Sequence, residues 1–486
     1  MPKNIKLSAL YKGIEEGTIK SNEDALEMIF PEARNGKRDL AKLKFDLKKR
    51  LLNNVLLYEF EKQKRSQHDR RPAFFEAIRM FASSYFLILL NGRNMGILML
   101  EKKLQDIIEY EFSALVVESS RLLRQHYAVI EKDIDKFEYY NKIVQDWIDK
   151  YEAEIRIEGL YLLLMKQFNN STPNNEVIQQ LSKRYYNESK RMLVNEPTSN
   201  MIFKFSMIKI ILHKSQRQVE QVLNVCNSTI KNLKDKIHMD RAGIITIYFQ
   251  QMNSFMELGN FKQLQLATQE ALNYVSVGSF NWFKLKQFEY QGLIFHHQYE
   301  EAVNIYKTVV EYRQQLERNT ILQEEWKLIA LSLELLYKMD KIQLESYQRL
   351  PSIKVGKIVN EFSLANQHKK GYNINILLFQ LLHAILLGNY ARAEKQSISI
   401  NAYRRRHLRD DAFGRVNFFI KMLNYIILNW YDLSRINQYS KENLAKLESI
   451  SRENIAMELI PLEQVWCLLI EKINCNSQRK AQKLPF

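Results

Sequence analysis

Only 14 glycines and eight prolines are spread through 486 residues, so few points along the chain can break a helix or make a tight turn. Strand signals are nearly absent as well, which argues against a sheet-rich domain. Three cysteines, Cys226, Cys467 and Cys475, include no Cys-x-x-Cys pair. That excludes a disulfide framework and leaves buried free thiols of a reducing compartment as the expectation. The opening residues Met1–Lys6 lack the apolar core of a signal peptide. The longest apolar run, Met80–Leu90, is too short to span a bilayer. A cytoplasmic chain with no membrane span is therefore expected.

Catalytic and metal signatures are missing too. None of the nine histidines falls in an H-E-x-x-H spacing. The adjacent pair His296-His297 would point about 100° apart on a helix, a poor convergence on one ion. Gly92-Arg-Asn-Met-Gly96 has no lysine–serine/threonine partner and follows no strand, so it reads as a turn rather than a phosphate loop. No G-x-S-x-G elbow occurs. The carboxylate pairs Glu300-Glu301 and Glu324-Glu325 splay apart on helices instead of meeting. Cys226, in an apolar phrase, reads as a core thiol. These absences point to a non-enzymatic protein with no cofactor and no metal.

What is present is helical periodicity, in a composition that is 46% hydrophobic and ample for a core. Ser21-Asn-Glu-Asp24 is a capping-box-like start ahead of Ala25, Leu26, Ile29 and Phe30, and Pro31 closes that short helix. Leu40, Leu43, Leu47, Leu51 and Val55 line the next one. Residues 1–72 thus read as a small N-terminal helical unit ending in a basic loop, Lys62–Pro72. Residues 73–200 read as a short buried helix, a turn at Asn91–Asn94, and two long helices. Leu104, Ile108, Leu115, Leu122 and Val129 line the first of these, and Ile134, Phe137, Val144, Trp147, Tyr151 and Ile155 the second. Loops are expected at Asn169–Asn175 and Asn195–Asn200. Residues 201–473 hold periodic helix pairs, and 474–486 form a disordered basic tail.

Three phrases recur in that third region: Glu257-Leu-Gly-Asn-Phe, His297-Gln-Tyr-Glu-Glu-Ala and Leu387-Gly-Asn-Tyr-Ala-Arg-Ala. In each, a turn and an aromatic precede a helix carrying small alanines: Ala267 and Ala271, then Ala302, then Ala393. This pattern resembles the tetratricopeptide repeat. There the small alanine lets neighbouring helices approach closely, and the aromatic plugs the groove between them. The spacing departs from the family's. Asn260 and Gln298 lie 38 residues apart, and Gln298 and Asn389 lie 91 apart, against a usual repeat of about 34. A degenerate copy fits around Met339-Asp340-Lys341. Met252, Tyr290 and Leu381 fill the slot where the family carries a small residue. The fold expected is all-α: an irregular tetratricopeptide-like solenoid of antiparallel helix pairs behind an N-terminal helical region.

Lysine plus arginine number 71 against 55 acids, a formal charge of +16. That balance suits an acidic partner, or simply a lysine-rich soluble surface. Two clusters are the candidate partner-binding sites: Lys62, Lys64, Arg65, Arg70 and Arg71, and Arg404, Arg405, Arg406 and Arg409. Arginine forks suit carboxylate or phosphate; internal pairing with Asp410 and Asp411 is the competing use of the second cluster. The expected function is a scaffold or adaptor that binds a protein or peptide partner, with the positive charge favouring an acidic one. The alternative is a nucleic-acid-associated regulator, with the first seventy or so residues as a DNA-binding unit and the repeats as its sensor. Lys42, Lys44, Lys48, Lys49 and Arg50 would then stand on its basic helix.

Overall fold

The computed structural model describes residues 3–31, 35–55, 70–168, 175–348, 350, 353, 355–358, 370–408, 414–430, 432–450 and 458–481. Of these, 84% are helical and none is in a strand, so the chain is all-α as its breaker-poor sequence requires. It divides into two compact units, Met1–Tyr151 and Glu152–Phe486. The division falls inside a helix, Ile134–Phe168.

In the first unit, helices α1 (Lys3–Glu15), α2 (Asn22–Ile29) and α3 (Gly36–Val55) pack pairwise around Leu7, Leu10, Ile19, Ala25, Ile29, Leu40, Leu43 and Leu47. The start of α2 is the capping box read from the sequence: the Asp24 amide donates to Ser21 Oγ at 3.1 Å, and the Ser21 amide donates to Asp24 Oδ2 at 2.8 Å. A second core, centred on Ile97, Leu100, Leu104, Val116, Leu123, Tyr140 and Trp147, joins α4 (Arg70–Leu89), α5 (Arg93–Glu109), α6 (Ser113–His126) and the start of α7 (Ile134–Phe168).

Two expectations are corrected here. The apolar helix before Asn91 is neither short nor buried: it runs for 20 residues and only Ala77 and Ser84 are fully buried. It is also long and apolar enough to cross a membrane by length and composition alone, with 11% of its window buried. The helix expected to run through Leu104–Val129 is interrupted at Tyr110–Phe112 and passes into a π turn at Tyr127–Glu131. Val129, Ile134 and Ile155, assigned to packed stripes, are 62%, 75% and 53% exposed.

In the second unit, the remainder of α7 is followed by α8 (Asn175–Met192), α9 (Ser199–Ser215), α10 (Val219–Lys234), α11 (Arg241–Glu257), α12 (Phe261–Leu272), α13 (Phe280–Phe295) and α14 (Tyr299–Glu311). After the short α15 (Arg313–Glu317) come α16 (Thr320–Lys338) and the short α17 (Leu344–Gln348). The last helices are α18 (Lys370–Leu386), α19 (Tyr390–His407), α20 (Gly414–Leu428), α21 (Leu433–Ser449) and α22 (Leu462–Ala481). Successive helices pack on one another along most of this order.

The recurring phrases share one backbone motif. Gly259, His297 and Gly388 adopt left-handed φ of 67°, 58° and 67°. At each, two amides bond back to the ending helix: Gly259 to Met256 and Asn260 to Phe255, His297 to Ile294 and Gln298 to Leu293, Gly388 to Ile385 and Asn389 to Ala384. This closes a helix C-terminus by satisfying its last carbonyls. The degenerate copy does the same through Asp340 (φ 57°), with Asp340 bonding to Tyr337 and Lys341 to Leu336. The alanines behind the turns are buried, Ala302 and Ala393 completely. Phe261 stacks on Phe295 with ring centroids 3.9 Å apart, tying one phrase to the next.

The last helix extends to Ala481, into the stretch expected to be a basic tail, and residues 482–486 lie outside the described residues. Helix continues through Asn474, whose side-chain amide exchanges hydrogen bonds with that of Asn437 at 3.1 and 3.2 Å. Earlier in α22, Gln464 Nε2 donates to the Ile294 carbonyl at 3.0 Å and to the Tyr299 hydroxyl at 2.7 Å, and Glu471 pairs with Lys341 at 2.9 Å. Lys472 pairs with Asp340. One continuous core therefore runs from Trp282 to Leu469, because the final helix returns to turns about 130 to 170 residues earlier.

Candidate functional surfaces

Of the first basic cluster, Lys62, Lys64 and Arg65 lie outside the described residues. Arg70 and Arg71 are helical, not in a loop, in keeping with a proline tolerated in a first turn. Arg70 is structural: its Nη2 donates to the Tyr110 carbonyl at 2.6 Å and its guanidinium lies 5.6 Å from the Phe112 ring centre. In the second cluster, Arg409 and both aspartates lie outside the described residues. Arg404, Arg405 and Arg406 occupy the last turn of α19, where cations complement the helix dipole. Steps of about 100° per residue aim them in different directions. Arg404 is half-buried, Arg405 and Arg406 exposed.

Cys226 is fully buried, and burial pushes its thiol up to about 12, so it is inert as a nucleophile. Cys467 and Cys475, expected to be buried, are exposed. His297 caps a turn and contacts the Tyr299 hydroxyl at 2.9 Å and Gln464 Nε2 at 2.7 Å. No cluster of three or more metal-ligating side chains occurs among the described residues.

What stands out instead is an apolar surface on the α4–α5 hairpin. The helices approach closely because Gly96 faces the Ser84 carbonyl; a Cβ there would lie 2.7 Å from that oxygen. Their inner faces are consumed by this contact and by α6. The outer faces are not. Tyr85, Phe86, Leu89, Leu90, Met95 and Leu98 lie within about two turns of Asn91 and are between 40% and 75% exposed. Phe74 and Phe75 extend the surface toward the start of α4. Arg71, Arg79 and Lys102 are the exposed cations of the hairpin. Sequence reasoning missed this because an apolar run reads as core. The available signal was an excess: α4 is apolar on more sides than one hairpin partner covers.

A second surface is α3. Two of its seven cations brace the fold: Lys44 Nζ donates to Asn22 Oδ1 at 2.8 Å and Arg50 Nη2 to Asn4 Oδ1 at 3.1 Å. Lys37, Arg38, Lys42, Lys48 and Lys49 are exposed on the side away from Leu40, Leu43 and Leu47. Phe45, 67% exposed, stands among them. Within the second unit, a cleft of about 450 Å³ lies between α14 and α16; Arg313, Lys327, Lys357 and Trp326 are among its lining residues.

No family model and no curated protein matches this chain.

Proposed function

We propose that this chain is a helical-repeat scaffold of tetratricopeptide-like character that acts by binding a protein partner, without chemistry of its own. The observation that carries the reading is the exposed apolar surface at the turn end of the α4–α5 hairpin. Large aromatic and aliphatic side chains held in water on two rigid helices are a standing cost, relieved when a partner covers them. Two antiparallel helices offer a seat of the right width for a third, so the fitting occupant is the apolar face of a partner helix. Arg79 and Lys102 favour acidic residues at its rim. The recurring turn motif and the buried alanines support the repeat character of the second unit, whose last helix folds back instead of leaving the array open.

Phe86→Ser combined with Leu90→Ser tests this. Because both side chains are exposed, the melting temperature should stay nearly unchanged. Capture of the partner by the full chain from cells that express it should fall by about 30-fold or more, as expected when interface anchors are removed. Undiminished capture by the double variant would remove the assignment.

A further inference from the structure

We infer that helix α3 is a docking surface for duplex DNA. This stands apart from the protein-binding reading, since it uses a different helix and a different chemistry. The α1–α3 unit is small. Eight buried side chains hold it together, and two of the cations of α3, Lys44 and Arg50, bond to neutral asparagines. The other five cations of α3 are exposed and no part of that core.

Their placement follows from the helical repeat. Taking 100° per residue, Leu40, Leu43 and Leu47 define the buried side. Arg38, Phe45 and Lys49 then fall on nearly the opposite side. Lys42 flanks them on one edge, and Lys37 and Lys48 on the other. Of the two acids on α3, Asp39 and Asp46, neither sits at the centre of this face. A face with five cations and an aromatic at its middle matches a polyanion rather than an acidic protein patch. Lysines and arginines spread over several turns track a phosphodiester backbone, and an exposed ring provides apolar contact with a thymine methyl.

The choice of duplex DNA follows from shape. An α-helix with its side chains is about 10–12 Å across and fits a B-form major groove about 12 Å wide. The A-form major groove is too deep and narrow to admit it. Helix α3 has 20 residues, about 30 Å of reach at 1.5 Å per residue. The shorter α2 packs against it; in helix-turn-helix proteins one helix enters the groove while another crosses the backbone.

The test is fluorescence anisotropy of the full chain with a labelled mixed-sequence DNA duplex of about 20 base pairs. Binding should weaken steeply with salt, with a logarithmic slope of about −4, as for four or five phosphate contacts. Arg38→Glu with Lys49→Glu should raise Kd at least tenfold while circular dichroism and melting temperature hold. The milder Arg38→Gln with Lys49→Gln should give a smaller loss in the same direction. A control pair of exposed lysines in the second unit, Lys231→Glu with Lys262→Glu, should leave Kd within about twofold. An equal loss in the control pair would overturn the inference in favour of diffuse charge. Equal affinity for an RNA duplex would overturn the groove assignment. Tight binding to phosphatidylserine vesicles that depends on Phe45, with none to DNA, would assign the face to a membrane surface instead.

Discussion

An Arg415→Ala variant is expected to lose about 3–5 kcal/mol of stability, the usual cost of stripping one partner from a buried ion pair. Arg415 is 4% exposed. Its Nε donates to Glu458 Oε1 at 2.7 Å, and its Nη2 donates to Glu458 Oε2 at 3.1 Å and to Glu463 Oε2 at 2.5 Å. Its Nη1 donates to the Leu447 and Ile450 carbonyls at 2.8 and 3.2 Å. One side chain thus joins the start of α20 to the end of α21 and the approach to α22. Alanine would leave the Glu458 carboxylate buried without its cation. Arg415→Lys keeps the charge but not the five-donor fork, so it should recover only part of the loss. Chemical denaturation of the full chain measures both. A cost below about 1 kcal/mol for Arg415→Ala, the level of a surface pair, would mean that the carboxylates are solvated after all.

Trp466→Ala should cost a comparable amount, about 3–5 kcal/mol for emptying a large buried site. Trp466 is completely buried, sits edge-on to Phe419 with centroids 6.4 Å apart, and donates from Nε1 to Ser440 Oγ at 2.7 Å. It belongs to α22, so its loss should loosen the contacts that Gln464 makes with Ile294 and Tyr299 as well. Hydrogen exchange should then rise in α13, far earlier in the chain. If only residues near 466 exchange faster, the final helix is an appendage and not a closing element.

How far the sequence foretold this depends on which signal a residue carries. The capping box at Ser21 and Asp24 was readable because two side chains and two amides make a local motif. The phrases at Gly259, His297 and Gly388 were readable because a turn, an aromatic and an alanine recur together. The breaks at Tyr110–Phe112 and after Glu131 were not. Glu111 and Lys132 end their helical segments in the left-handed region at φ of 54° and 57°, where a glycine would normally announce the stop. Arg217 does the same. A left-handed non-glycine residue costs about 1–2 kcal/mol, and tertiary packing supplies it without leaving a mark in composition.

The surfaces were legible in part. Lys42, Lys48 and Lys49 were noticed on their helix, but Lys37, Arg38 and Phe45 complete a face only once Leu40, Leu43 and Leu47 fix its buried side. The α4 surface was hidden for the opposite reason. Hydrophobicity fixes the wish to be buried, while the number of neighbours decides whether burial happens, and among the described residues α4 has neighbours on one side only. The return of α22 joins residues about 130 to 170 positions apart, a separation that no local pattern encodes.

The most direct measurement is site-specific photo-crosslinking in cells that naturally express the chain, with a benzophenone amino acid at Phe86 and, for comparison, at Lys231. The account expects discrete protein adducts from position 86 and none from position 231. Adducts to lipid alone, or an indistinguishable pattern from the two positions, would contradict it.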